Sequence, residues 1–381
     1  MTLPLRILIT GGGTGGHVFP AIAIADAVKR LRPDTVFQFV GATGKMEMER
    51  VPQAGYPIEG LNIAGFQRGL SWSSLRRNLG FPFKLLSSSL KAKRLVRQFQ
   101  PDVVVGTGGY ASGPVMRAAQ QLGIPTLIQE QNSYAGVTNR LLAKKAARIC
   151  VAYDGMEHYF PAEKIVFTGN PVRQDILNLN KKHDEGLAYY GLSKDKKTIA
   201  VIGGSLGART LNRAMAEHTA LLAENNGVQV LWQCGRFYEN EYAGSDTAKL
   251  PNVMLRAFID RMDLLYAAAD VIISRAGALS ISELCLVGKP VVLVPSPNVA
   301  EDHQSKNALA LVDKGAARLV RDAEAVEKML PEALFVLNSE AVAFSLGESI
   351  HQLGRPKAAE AIALEVLALA TQNVPETDKP E

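Results

Sequence analysis

Short apolar runs alternate with longer stretches of helical periodicity through the first half of the chain: Arg6 to Thr10, Val36 to Val40, Val103 to Gly106, Thr126 to Gln129 and Ile149 to Val151. Runs of this kind predict strands buried on both faces of a parallel sheet covered by helices. The polar stretch NLNKKHDEGLAYYGLSKDKK, residues 178–197, interrupts the pattern and predicts passage from one domain to the next. Strand-like runs then resume at Thr198 to Ile202, Val228 to Cys234, Val271 to Ser274, Val291 to Val294 and Arg318 to Val320. The expected fold is α/β: two doubly wound, Rossmann-like domains facing a cleft, over residues 1–177 and 178–355. Both open alike, with RILITGGGTGGH in one and TIAVIGGSLGAR in the other, so a strand, a glycine turn and a helix are used twice. Residues 356–370 repeat Ala, Ile and Leu at helical spacing. They predict a C-terminal helix packing back toward the N-terminal domain, and the rest of 356–381 reads as a loose tail.

Composition narrows the class. With 381 residues, 47% apolar and 21% charged, the chain can bury a sizeable core, which excludes disorder and a disulfide-stapled miniprotein. The net charge of +5 is too small to predict nucleic-acid binding, and no nucleic acid is expected as a partner. Cys150, Cys234 and Cys285 are far apart in sequence and set among apolar residues, which suits buried thiols in a reducing compartment. The start of the chain has too short an apolar run for a signal peptide, and no apolar stretch reaches membrane-spanning length. A cytoplasmic protein is expected.

Candidate chemistry lies in the turns. Gly11, Gly12, Gly13, Thr14, Gly15, Gly16 and His17 lead into a helix, where positive φ, close ligand approach and free N–H donors suit a phosphate or diphosphate. A dinucleotide reading needs an acid at the end of the following strand, and neither FQFVGA nor VQVLWQCG supplies one, so NAD is disfavoured. His17 is placed to act as a general base or to hold an anion. A second turn, Gly203 to Ala208, adds the Ser205 hydroxyl to its backbone donors. In a third, Ser274 to Glu283, Glu283 is positioned to accept bonds from two ribose hydroxyls. The loop Ser296 to Gln304 suits sugar hydroxyls. Its adjacent Glu301, Asp302 and His303 do not converge on one ion, so no metal is expected. From Gly60 to Pro101 there is no acid, while eight basic residues interleave with Phe66, Trp72, Phe81, Phe83, Leu85 and others. The stretch 66–97 therefore suits an anionic membrane surface.

Taken in order, GGGTGGHVFPA, GTGGYASGP, EQNSYAG, TGNPVR, GGSLGA and SRAGALSISE with the later DHQ resemble one family. It comprises the bacterial peptidoglycan glycosyltransferases of family 28, which add N-acetylglucosamine to the lipid-linked muramoyl-pentapeptide precursor. The resemblance runs from the first strand to about Gly315. It implies a fold of the glycosyltransferase B type, UDP-N-acetylglucosamine as donor and an inverting transfer forming a β-1,4 link. The acceptor would be undecaprenyl-linked muramoyl-pentapeptide, no cofactor would be required, and the enzyme would sit peripherally on the cytoplasmic side of the plasma membrane.

By the same carry-over, Arg173 and Ser205 would lie near the donor diphosphate and Glu283 on the ribose. Phe258 and Ile259 would frame the uracil, with Ala278, Leu279 and Ser280 along the phosphates and sugar. His303 and Gln304 would meet sugar hydroxyls, and Thr14, Gly15, Gly16 and Asn132 would also serve the donor. Gly13, His17, Gly108, Gly109, Tyr110 and Asn132 would face the acceptor. Where some members carry Gln, this chain has Leu206 and His303. Three other readings stay open: a glycolipid synthase of the same fold, a UDP-N-acetylglucosamine 2-epimerase, and a non-catalytic nucleotide-sugar sensor.

Overall fold

The computed structural model describes residues 4–63, 81–179, 181–204, 206–299 and 302–372. The chain divides into two compact units. One comprises the residues up to Val172 and those from Lys357 onward, and the other comprises Arg173–Pro356.

The first unit holds β1 (Arg6–Gly11), β2 (Val36–Ala42), β3 (Ile58–Leu61), β4 (Val103–Gly108), β5 (Thr126–Glu130), β6 (Arg148–Val151) and β7 (Ile165–Phe167). They form one sheet in the order β3-β2-β1-β4-β5-β6-β7, with every pairing parallel. The second unit holds β8 (Lys197–Ile202), β9 (Val228–Gln233), β10 (Val253–Arg256), β11 (Val271–Ser274), β12 (Val291–Leu293) and β13 (Arg318–Leu319). Its order, β10-β9-β8-β11-β12-β13, is parallel throughout and repeats the first pattern. Alternate residues of β1 serve opposite faces: Ile7 and Ile9 enter one apolar core and Leu8 the other. Both faces are covered, which is why the run is apolar without alternation.

The runs expected as strands all fall in these sheets. Three strands, β3, β7 and β10, have no counterpart among the expected runs. Each lies at a sheet edge, paired on one side only and short, so it lacks the long apolar run of a strand buried on both faces.

The break between units falls at Val172/Arg173, ahead of the expected 177/178. The 3₁₀ turn Gln174–Leu177 buries Ile176 and packs against the helices Met262–Ala268 and Ala278–Val287, so it belongs to the second unit. At the other end, the helix Ala358–Gln372 packs on the helix Gly15–Leu31 of the first unit, with Ile362, Ala363 and Val366 in the core beside Ile24 and Val28.

Among the described residues no single helix is long and apolar enough to cross a membrane. The pair Asp322–Asn338 and Glu340–Gln352 passes that test only jointly and is bent by 99°. Met329, Leu330, Ala333 and Val336 of this pair lie in the core of the second unit.

An acidic clamp anchors that unit's first helix, His183–Tyr190. Buried Asp263 accepts bonds from Arg261 Nε and Nη2, both at 2.9 Å, and from Lys182 Nζ at 2.7 Å. The Arg261 bonds above all, helped by Lys182, hold the carboxyl far below its ordinary value. The unfolded chain therefore binds this proton more readily than the folded one, and the stabilisation exists above the unfolded pKa of about 4 and fades as pH falls below it. Asp263→Asn should cost about 1–3 kcal/mol at neutral pH, the range for hydrogen bonds to a charged group. In urea titrations across pH, the gap from wild type should close toward acid, and a gap that persists there would exclude the clamp as its source.

Candidate functional site

In both sheets the first strand lies between the second and the fourth of its unit, so the connections on its two sides run in opposite directions at β1/β4 and at β8/β11. The carboxyl ends there open a crevice in which ligands of such folds bind. The glycine turns after β1 and β8, and the turn after β11, emerge at these points.

In the first unit, Gly12 N–H donates to the Gly108 carbonyl at 3.3 Å. A Cβ on Gly109 would sit 2.2 Å from Gly12 O, and Gly109 has φ +85°, so this contact admits no side chain. Buried Glu47, just past β2, accepts from Ala42 N–H at 2.9 Å and from Gly13 N–H at 3.0 Å. An acid does therefore meet the glycine turn, but it binds protein backbone and occupies the Gly13 donor. At the head of the helix beginning at Gly15, the N–H groups of His17 and Val18 donate to the Thr14 carbonyl at 3.1 and 3.2 Å, so Gly15 and Gly16 N–H stand ahead of the first bonds of the helix. Thr14 and Gly16 are exposed, and Gly15 is half-buried.

His17 is half-buried over Gly108, and its Nδ1 lies 3.0 Å from Gln131 Oε1. Its own carbonyl accepts from Thr107 Oγ1 at 2.8 Å. The side chain of Tyr110 is exposed. Asn132 N–H donates to Glu130 Oε1 at 3.1 Å, while Glu130 Oε2 takes Gly136 N–H at 3.0 Å and Asn139 Nδ2 at 2.9 Å. Glu130 thus shapes the loop that presents Asn132. His17, Gly108, Gly109, Tyr110 and Asn132 all lie at the carboxyl ends of β1, β4 and β5.

The second unit repeats the arrangement with different side chains. Gly204, with φ +82°, donates its N–H to Gln233 Oε1 at 3.2 Å, as Gly13 does to Glu47. Gly207 and Gly235 face each other, and a Cβ on Gly235 would lie 2.2 Å from Gly207 N. Ser205 lies outside the described residues, and Leu206 beside it is exposed. Phe258 is partly exposed with the Arg236 guanidinium 4.5 Å from its ring centroid, and Ile259 is buried next to it.

Glu283 lies on the helix Ala278–Val287, whose first turn carries Ala278, Leu279 and Ser280. Its Oε1 accepts from Arg173 Nε at 3.0 Å and its Oε2 from Tyr266 OH at 2.9 Å. Burial is the strongest influence on this carboxyl and raises its pKa, against the opposing pull of Arg173 and Tyr266. Each oxygen keeps a second lone pair for a ligand hydroxyl. Arg173, expected near a diphosphate, is thus held against the residue expected near the ribose. Gln304 Oε1 accepts from Ala276 N–H at 3.2 Å and Ser296 N–H at 2.9 Å, tying together the turns after β11 and β12. His303 opens the next helix beside it. Among the described residues no group of three or more His, Cys, Asp or Glu could hold a metal ion.

Glu47, Gln131, Tyr266 and Gln233 were not among the expected site residues. Glu47→Ala should leave the N–H groups of Gly13 in the first glycine turn and of Ala42 at the end of β2 unpaired, at about 1–3 kcal/mol for each that stays buried. Glu47→Gln retains an acceptor oxygen and should fall between wild type and Ala in urea denaturation; equal stability of all three would remove the clamp.

The family model described as glycosyltransferase family 28 N-terminal domain matches residues 7–151, and that described as its C-terminal domain matches 198–361. A Bacteroides fragilis protein is 54% identical over 371 residues, 97% of each chain. Its name is UDP-N-acetylglucosamine--N-acetylmuramyl-(pentapeptide) pyrophosphoryl-undecaprenol N-acetylglucosamine transferase. A Flavobacterium psychrophilum protein of the same name is 50% identical, covering 96% of this chain and 97% of its own. The crystal structure of Acinetobacter baumannii MurG superposes with a TM-score of 0.76 at 30% identity, over 96% of this chain and 100% of that one. The chain belongs to glycosyltransferase family 28.

Proposed function

We propose that the protein transfers N-acetylglucosamine from UDP-N-acetylglucosamine to the C4 hydroxyl of undecaprenyl-diphospho-N-acetylmuramoyl-pentapeptide, with inversion, releasing UDP. The observation that carries this is identity above half, over 97% of both chains, to a relative whose name specifies that transfer. The local chemistry supports it. The second unit is the donor side: Glu283 receives the ribose hydroxyls, preset by Arg173 and Tyr266, and Phe258 with Ile259 frames the base. Backbone donors of the Gly203–Gly207 turn and of the helix at Ala278 face the diphosphate, where charge grows as the glycosidic bond breaks. Gln304 holds the turns to which His303 presents a donor for sugar hydroxyls.

The first unit is the acceptor side. His17 takes the proton from the C4 hydroxyl as its oxygen attacks the anomeric carbon opposite the departing UDP. Tyr110, Asn132 and the glycine amides meet the muramoyl sugar and the lipid diphosphate.

Acceptor-dependent UDP release by the purified protein, with a disaccharide product on a short-chain lipid-linked muramoyl-pentapeptide, tests this reading. Conversion of UDP-N-acetylglucosamine without acceptor would favour an epimerase, and UDP binding without turnover a sensor. Glu283→Ala should weaken UDP binding by about 1–3 kcal/mol in calorimetry; unchanged affinity would remove Glu283 from the donor side.

We propose in addition that the protein meets the cytoplasmic membrane surface through the stretch 66–97, where its acceptor is anchored. Residues 66–80 lie outside the described residues. On the helix Phe81–Phe99, Ser88, Ala92 and Val96 face the core, while Leu86, Leu90, Arg94 and Arg97 are exposed. Replacing Arg94 and Arg97 by Glu should weaken binding to phosphatidylserine vesicles by about 1 kcal/mol for each cation removed. Equal vesicle binding by both proteins would return this face to ordinary solvated surface.

A further inference from the structure

The groups behind His17 fix which of its ring nitrogens carries the proton. Gln131 is buried, and its Nε2 lies 2.8 Å from the Thr107 carbonyl oxygen and 3.0 Å from that of Gln129. Neither oxygen can donate, so this end of the side chain must be the NH₂; a reversed amide would press one carbonyl oxygen against two others. Gln131 Oε1 is therefore the atom 3.0 Å from His17 Nδ1, and it can only accept. The orientation is secured from behind by a one-way chain. Asn170 Nδ2 donates to the Gln131 main-chain carbonyl at 2.9 Å, so Asn170 Oδ1 accepts from Gln129 Nε2, also at 2.9 Å. Gln129 Oε1 is then left to accept from Gln131 Nε2. Every member of this chain is buried, and its direction is set by main-chain carbonyls, which cannot reverse. A Cβ on Gly108, where φ is +98°, would stand 3.0 Å from His17 Cε1 and 3.1 Å from Nδ1, so this close approach to the ring favours glycine.

We propose that Gln131 is a positioning residue that holds neutral His17 as the Nδ1–H tautomer, making Nε2 the proton-accepting atom. This rests on the reading of His17 as the base. In the transfer step the bond from O4 to the anomeric carbon forms as the O4–H bond breaks. The proton passes to Nε2, and the bond from the anomeric carbon to the UDP oxygen breaks with its electron pair leaving on UDP. The resulting imidazolium keeps its Nδ1–H bond to Gln131 Oε1 throughout, so no proton moves on the buried side. Free histidine in water prefers the opposite tautomer, with the proton on Nε2 and no lone pair there to accept one. Without Gln131 the ring would spend most of its time in the wrong form for this step.

Long-range proton–nitrogen correlation spectra of the full chain labelled with ¹⁵N-histidine read the tautomer directly, with His17 assigned by its loss in His17→Asn. The wild-type protein should show a protonated Nδ1 and an unprotonated Nε2. Gln131→Met, which keeps the side-chain length but offers no oxygen, should lose that preference. Its kcat should fall at least about tenfold, part of the roughly 10²–10⁴ that general base catalysis supplies. The acceptor KM and the UDP affinity should stay within about twofold, because the interaction lost acts on the transition state. A wild-type spectrum with the proton on Nε2 overturns the proposal, and this outcome is readable even if Gln131→Met does not fold. A Gln131→Met protein that retains the Nδ1–H tautomer overturns it as well. Full kcat in His17→Asn, with the wild-type ring in the Nδ1–H form, would sink the base reading while leaving the tautomer assignment standing.

Discussion

At the carboxyl ends of β1 and β4 in one unit and of β8 and β9 in the other, two main-chain turns approach so closely that no side chain fits between them. Gly109 against Gly12 in one unit and Gly235 against Gly207 in the other each leave about 2 Å where a Cβ would have to stand. These contacts bring the carboxyl ends of neighbouring strands within hydrogen-bonding distance of one another. His17 lies over Gly108 because that chain segment is bare, and Asn212 Nδ2 reaches the Cys234 carbonyl at 2.8 Å beside the second contact. The placement of His17 and Asn212 follows from what the glycines leave out.

The same constraint sets how each turn is held. A bare turn has little side-chain packing of its own, so both units stiffen it from outside with a side chain that accepts from the positive-φ glycine, Glu47 in one and Gln233 in the other. The difference in charge matters. Each takes up one backbone donor, but the carboxylate at Gly13 also adds negative charge beside the turn, whereas the neutral Gln233 at Gly204 adds none. On electrostatic grounds the neutral second turn suits an anion better than the first, which has the Glu47 carboxylate beside it.

Much of this was legible along the chain. Strands buried on both faces announced themselves as apolar runs, and the repeated strand–glycine–helix opening exposed the two-fold plan of the protein. Edge strands such as β3 and β10 did not, because their residues answer to one neighbour and to solvent. The candidate site residues sit in short motifs that mark their positions in the sequence, but their partnerships were not legible there. Arg173 and Glu283 stand 110 positions apart and meet only because the turn Gln174–Leu177 docks on the helices beside Glu283. Glu47 escaped notice because an acid was sought within the strand, and its carboxylate returns to the turn from the following helix. Gln131 lay inside a recognised motif without a role, since its meaning depends on two carbonyls brought in by β4 and β5.

The helix Ala358–Gln372 completes a core begun at β1, so the first unit is interrupted in sequence by the whole of the second. During synthesis Arg173–Pro356 emerges before the helix that covers Ile24 and Val28. At about 5–20 residues per second, the half-built first unit waits on the order of ten seconds or more with that apolar face uncovered. The continuous unit is free to reach its native state in this interval. The interrupted one carries the greater exposure to chaperones and to aggregation, although it is made first.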